Sequence, residues 1–183
     1  PVEIEKFRKN VPEAEAVCAS ILKTGLEAES FDVICVFGAL HHLHPNLSEA
    51  LVEMDRLLRP GGYLLFTEPH SRSLPDVCRN IWYRLDSYFA ENEEGVDVES
   101  MKQTLKGRYE FEVEHYAGGI AYLLVLNSMI FRIPAGWKKY YSAAAMKIEE
   151  WMNPLQGSRL SCYVNCLWRK LEHAEGGEPP ASL

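Results

Sequence analysis

Residues 31–37 read Phe31-Asp32-Val33-Ile34-Cys35-Val36-Phe37, and residues 57–69 read Leu57-Leu58-Arg59-Pro60-Gly61-Gly62-Tyr63-Leu64-Leu65-Phe66-Thr67-Glu68-Pro69. The first is a nearly continuous apolar run, the pattern of a parallel strand covered by helices on both faces. Gly38 and Ala39 let the backbone turn after it. A helix follows, with Asn46 as its candidate cap and Glu49, three residues on, as a capping-box partner. Leu47, Leu51, Met54, Leu57 and Leu58 form its buried stripe. Arg59 suits the helix C-terminus, and Pro60-Gly61-Gly62 stops the helix. Tyr63 to Thr67 then reads as a second buried strand. Strand, helix, strand predicts a right-handed βαβ unit with parallel strands.

Outward from this unit the chain stays α/β. Ala14 to Ala19, entered through Pro12, has the look of a shorter strand. Downstream, Ser73 can cap a helix with Pro75 in its first turn and Val77, Ile81, Leu85 and Phe89 at four-residue spacing. The acidic loop Glu91 to Gly95 ends it, and a short helix is expected over Val98 to Lys106. Arg108 to Tyr116 alternates, with Tyr109, Phe111 and Val113 on one face and Glu110, Glu112 and Glu114 on the other, as suits an outer strand. Helices are expected over Ile120 to Phe131 and Trp137 to Met152, separated by Pro134. The last strand, Leu160 to Leu171, places Leu160, Cys162, Val164, Cys166 and Trp168 on one side. The chain divides into a domain over residues 1–171 and a tail over 172–183, rich in charge, Gly and Pro and expected to be disordered.

Composition narrows the function classes. The 183 residues suffice for one domain with a sizeable core, and 47% hydrophobic with 25% charged residues is ordinary for a globular protein. A formal charge of −7 argues against a nucleic-acid partner. The basic knot Trp137-Lys138-Lys139-Tyr140-Tyr141 reads as a solvated helix face with core aromatics. Ile120 to Ile133 is too short and too polar to span a membrane, and no signal peptide is recognisable, so a cytoplasmic location is expected. Five cysteines without a CxxC pair predict neither a metal site nor a disulfide framework, and Cys18 and Cys35 read as small hydrophobes in apolar runs.

Three pieces in order, the strand beginning Phe31-Asp32-Val33-Ile34, then Leu40-His41-His42-Leu43, then Leu57-Leu58-Arg59-Pro60-Gly61-Gly62, resemble the middle of the type 11 group of class I S-adenosylmethionine-dependent methyltransferases. The resemblance implies a Rossmann-like sheet of seven strands in the order 3-2-1-4-5-7-6, with strand 7 antiparallel. On it, Ala14–Ala19 would be strand 3, Phe31–Phe37 strand 4, Tyr63–Thr67 strand 5, Tyr109–Tyr116 strand 6 and Leu160–Trp168 strand 7. The fold expected is therefore an incomplete class I methyltransferase fold, strands 3 to 7. Residues 1–13 hold no glycine and no second apolar run, so the glycine-rich turn that the family places after strand 1 is not found. A fragment, a homo-oligomer or other completing subunit, and a sheet closed in another way are all open.

Ligands of open α/β sheets bind beyond the carboxyl ends of the strands. By the resemblance, Ser20 and Ile21 would meet the adenine, although the family has an acidic residue where Ser20 stands. Phe37, Gly38 and Leu40 would line the methionine part of S-adenosylmethionine, where small residues permit close backbone approach. Glu68 and His70, after the next strand, are the catalytic candidates, able to take a proton from an acceptor or to orient it. His41 and His42 also suggest a base, but a histidine near a helix start often bonds only to backbone, and a structural role is preferred for them. Trp82, Tyr83, Tyr88 and Phe89 read as helical cover. The expected activity is methyl transfer from S-adenosylmethionine to a small molecule. The rival reading is a non-catalytic methyltransferase-like partner or scaffold, and a dehydrogenase is a weaker third.

Overall fold

The computed structural model describes residues 2–85, 94–119, 121–126 and 133–172. Four strands form one sheet: β1 (Phe31–Phe37), β2 (Leu58–Pro69), β3 (Tyr109–Ala117) and β4 (Tyr163–Lys170), in the order β1-β2-β4-β3. β1 and β2 are parallel, whereas β4 runs antiparallel to both of its neighbours. This is the succession expected for strands 4, 5, 7 and 6. The helices are α1 (Val2–Asn10), α2 (Leu47–Leu57), α3 (Leu74–Leu85), α4 (Val98–Thr104), α5 (Ala135–Lys138) and α6 (Ser142–Met152). Among the described residues no helix is long and apolar enough to cross a membrane.

The βαβ unit forms as its sequence pattern requires. Leu47, Leu51, Met54, Leu57 and Leu58 are all buried, joined in the core by Leu64 and Phe66 of β2 and by Val98 and Met101 of α4. Trp168 of β4 is fully buried, with Phe66 at 4.8 Å and Phe111 at 4.9 Å, both edge-on. Gly62 allows the close start of the β1–β2 pair. A Cβ there would sit 2.9 Å from the carbonyl oxygens of Arg59 and Asp32. Arg59, placed by sequence at the helix end, lies in the first stretch of β2 and binds Asp32 at 2.7 Å.

Several expectations are corrected. Ala14 to Ala19 forms no strand; beside it there is only an isolated bridge between Ser20 and Lys23. β1 is an edge strand rather than a doubly covered one, with Phe31, Val33 and Phe37 exposed. Its apolar run signalled burial, but among the described residues no strand pairs with its outer edge. Cys18 and Cys35 are likewise exposed. Asn46 makes no side-chain cap on α2. In β3 the register slips between Phe111 and Val113, a bulge that turns Val113 outward and Glu114 toward Lys102 at 2.5 Å. Strict alternation therefore fails after Phe111. Ser73 does cap α3, its Oγ accepting from the Asp76 N–H at 3.1 Å, yet Val77 and Ile81 of that helix are exposed. The chain over 120–131 gives a π-helical turn at Tyr122–Leu126 and otherwise lies partly outside the described residues, as do Tyr88, Phe89, Glu91 to Glu93 and 173–183.

Residues 20–30, which carry two candidate site positions, are tied to α2 by a buried carboxylate. Glu53 accepts from the Thr24 N–H at 2.9 Å and the Thr24 hydroxyl at 2.5 Å. Arg56 donates to both Glu53 oxygens at 2.8 Å and also to the Leu26 carbonyl. The Arg56 guanidinium, helped by Thr24 and opposed by burial, holds the Glu53 carboxyl at about 2. A carboxyl depressed in the folded state stabilises fully above its unfolded value and loses that contribution as pH falls toward the folded one. Glu53→Gln is therefore expected to lower stability at pH 7 by roughly 1–3 kcal/mol. The gap from wild type should narrow between pH 4.5 and about 2, as read by urea unfolding across that range. Trp168→Ala is expected to cost about 3–5 kcal/mol by the same measurement, because the ring fills the space between Phe66 and Phe111.

Candidate active site at the ends of β1 and β2

In the parallel pair Phe37 stands opposite Thr67, so the turn after β1 and the end of β2 arrive at the same edge of the sheet. The Gly38 N–H donates to the Thr67 carbonyl at 3.0 Å. Gly38 has φ +60°, a left-handed conformation natural to glycine, and nothing lies within 4 Å of where a Cβ would be. The backbone here thus borders open space. A single 3-10 turn, Leu40–His42, follows.

The first N–H groups of any helical turn lack partners inside it. Here β2 supplies them. Leu64, Phe66, Glu68 and His70 alternate onto the buried face of the strand, which brings the fully buried Glu68 carboxylate beneath the turn. Its Oε1 accepts from the N–H groups of Ala39 at 2.8 Å and Leu40 at 2.9 Å. Its Oε2 accepts a longer bond from the His41 N–H at 3.4 Å and lies 2.7 Å from His41 Nδ1. A buried carboxylate is costly unless its oxygens are satisfied, and this one has donors on both. The His41 ring remains 15% exposed at its side chain and stacks, tilted, on His42 at 3.9 Å.

The other candidates are placed as follows. Phe37 is largely exposed beside the turn, while Leu40 is fully buried and supports the turn from the core. Ser20 is exposed and its Oγ accepts from the Leu22 N–H at 3.3 Å; Ile21 packs against the core that holds Leu40. His70 is buried, with Nδ1 2.9 Å from the Ser71 carbonyl oxygen and Nε2 2.9 Å from that of Ser161. Its ring also meets Tyr116 edge-on at 5.0 Å. His70 thus joins the end of β2 to the segment entering β4, whereas Glu68 joins β2 to the β1 turn. The pairing of Glu68 with His41 escaped the sequence reading. A signal was present: Glu68 falls on the same strand phase as Phe66, and a carboxylate on an inward phase must find donors.

A family model described as a methyltransferase domain matches residues 1–66, which contain β1, α2 and most of β2. Over 67 residues the chain is 43% identical to phthiotriol/phenolphthiotriol dimycocerosates methyltransferase 1 of Mycobacterium ulcerans; the match takes in 37% of this chain and 24% of that one. The chain thus spans about a quarter of the length of that curated relative. Among solved structures it is similar to a SAM-dependent methyltransferase from Archaeoglobus fulgidus, with TM-score 0.57 and 15% identity over 93% of this chain and 72% of that one. It is also similar to the N-methyltransferase NodS of Bradyrhizobium japonicum, solved with S-adenosyl-L-homocysteine, with TM-score 0.51 and 15% identity over 93% and 62% of the two chains. The resemblance carried by residues 31–69 therefore stands. Residues 1–66 thus match a methyltransferase domain, and the chain shares an α/β fold with solved methyltransferases.

Because the carboxylate satisfies three backbone N–H groups at once, Glu68→Ala is expected to destabilise the fold by about 2–4 kcal/mol. Amide exchange at Ala39, Leu40 and His41 should accelerate more than exchange in β4.

Proposed function

We propose that this chain transfers a methyl group from S-adenosylmethionine to a small molecule, and that the turn held by Glu68 is one wall of the cofactor site. The observation that carries the reading is the open, left-handed Gly38 at the carboxyl end of a parallel strand pair, the place where ligands of such sheets bind. Exposed Phe37 offers an apolar surface next to it. Gly38 and Ala39 would hold the methionine part by backbone approach, with Leu40 packing behind them. Ser20 and Ile21 would lie toward the nucleoside. When bound, the cofactor supplies a methyl group on a positively charged sulfur. The chain's own task is to position that methyl against the acceptor and to keep water away.

The charge of −7 favours a small-molecule acceptor over nucleic acid. His70 shapes the crevice by anchoring the start of β4, and Glu68 orients the groups around it. The exposed outer side of β1 supports a site completed by further polypeptide, because Phe31, Val33 and Phe37 are left without cover among the described residues. The same observation favours a second reading, a methyltransferase-like module that serves as a partner without catalysis.

Titration of labelled protein with S-adenosylhomocysteine, followed by amide nuclear magnetic resonance shifts, separates the two readings. Shifts confined to Ser20, Ile21 and the Phe37–Leu40 turn are expected. Unmoved Gly38 and Ala39 signals under a large excess of ligand would favour the partner module.

A further inference from the structure

We propose that His41 is the base of the reaction, held by Glu68 in the tautomer with its proton on Nδ1, and that the acceptor is accordingly a hydroxyl or a protonated amine. This rests on the methyl-transfer reading above. Three backbone N–H groups converge on the two Glu68 oxygens, an arrangement suited to an acceptor-only carboxylate. With Oε2 at 2.7 Å, Nδ1 is then the donor. Nε2 is left as the basic nitrogen, and among the described residues it makes no hydrogen bond and is not a buried unpartnered atom. Carboxylate, Nδ1–H and a free Nε2 form the arrangement by which an orienting group fixes an imidazole for proton transfer. His41 stands three residues after Gly38 on the same turn, so base and proposed methyl-donor wall move as one unit.

The step balances without another reactant. The acceptor oxygen or nitrogen forms a bond to the methyl carbon, and the carbon–sulfur bond breaks with its electron pair left on sulfur. The acceptor's proton goes to Nε2 of His41 and from there to water. A thioether acceptor would have no proton to give, and an oriented base would serve nothing.

Imidazole nitrogen resonances report the tautomer without any need for turnover. Wild type is expected to carry the His41 proton on Nδ1. In Glu68→Gln the amide oxygen can still accept from the turn, but the amide NH2 faces Nδ1, so the proton should move to Nε2. Diethyl pyrocarbonate should then modify His41 roughly tenfold more slowly or less than in wild type, since Nε2 no longer offers its lone pair. A wild-type proton on Nε2, or a tautomer unchanged by Glu68→Gln, overturns the base assignment whatever the cofactor result. A correct tautomer with no S-adenosylhomocysteine shifts at Gly38 instead removes the methyl-transfer reading. With labelled S-adenosylmethionine, catechol, N-methylbenzylamine and dimethyl sulfide serve as acceptor probes. Transfer to catechol or the amine is expected, with kcat lowered roughly 100-fold in Glu68→Gln. Transfer to dimethyl sulfide, or to none of the three by protein that binds S-adenosylhomocysteine, overturns the protic assignment.

Discussion

The carboxylate of Glu68 sits where three demands meet. It lies on the inward phase of β2, fully buried, so its oxygens need donors. The turn after β1 has N–H groups at its start that need acceptors. The parallel pairing of β1 with β2 puts the two within reach, and residues 28 and 29 positions apart in the chain satisfy one another. Remove the carboxylate and the turn loses its cap, Leu40 loses the anchor that seats it in the core, and His41 loses its orientation. The candidate site is therefore a consequence of one strand pairing and one buried charge.

The same device recurs elsewhere. Glu53 of α2 reaches back to Thr24 and steadies the segment bearing Ser20 and Ile21. Glu149 of α6 accepts from the N–H groups of Gly119 and Ala121, where the chain leaves β3 for its π-helical turn, and also from Gln156. Each of these acids tethers an irregular segment to a regular element about thirty residues away. At the turn after β1 an acid side chain, counted in composition as solvated surface, replaces the local side-chain cap that Ala39 does not provide. Backbone polar groups need partners wherever they are shielded from water, and a carboxylate with two oxygens can serve several at once.

How much was legible follows from which forces are local. The α2 stripe from Leu47 to Leu57 was readable because helical spacing alone decides which side chains share a face, whereas Leu58, read with it, is buried as the first residue of β2. β4 was readable for the same reason at a period of two: Cys162, Val164, Cys166 and Trp168 are buried as it required, whereas Leu160, read into the same face, lies ahead of the strand and is exposed. The stretch from Ala14 to Ala19 was misread because short apolar composition fits a strand only if a neighbour pairs with it. β3 was half-read: its alternation held to Phe111, then a bulge set by its pairing with β4 reversed the phase and brought Glu114 to Lys102. Among the candidate site residues, the left-handed turn at Gly38 was legible from its place after a strand, whereas His70, chosen for its chemistry, turned its ring nitrogens to the Ser71 and Ser161 carbonyls.

The order strand, turn, helix, strand was determined by the sequence itself, although Pro60-Gly61-Gly62, read as the stop between helix and strand, lies within β2. Periodicity, helix stopping and the tolerance of Gly38 and Gly62 for special backbone are properties of residues and their near neighbours. The tertiary structure alone decided that β1 lies at an edge, that Glu68 faces inward onto the turn and that His41 is its partner. Those outcomes depend on hydrogen bonds between segments nearly thirty residues apart, whose partners are chosen by strand register and not by any spacing along the chain.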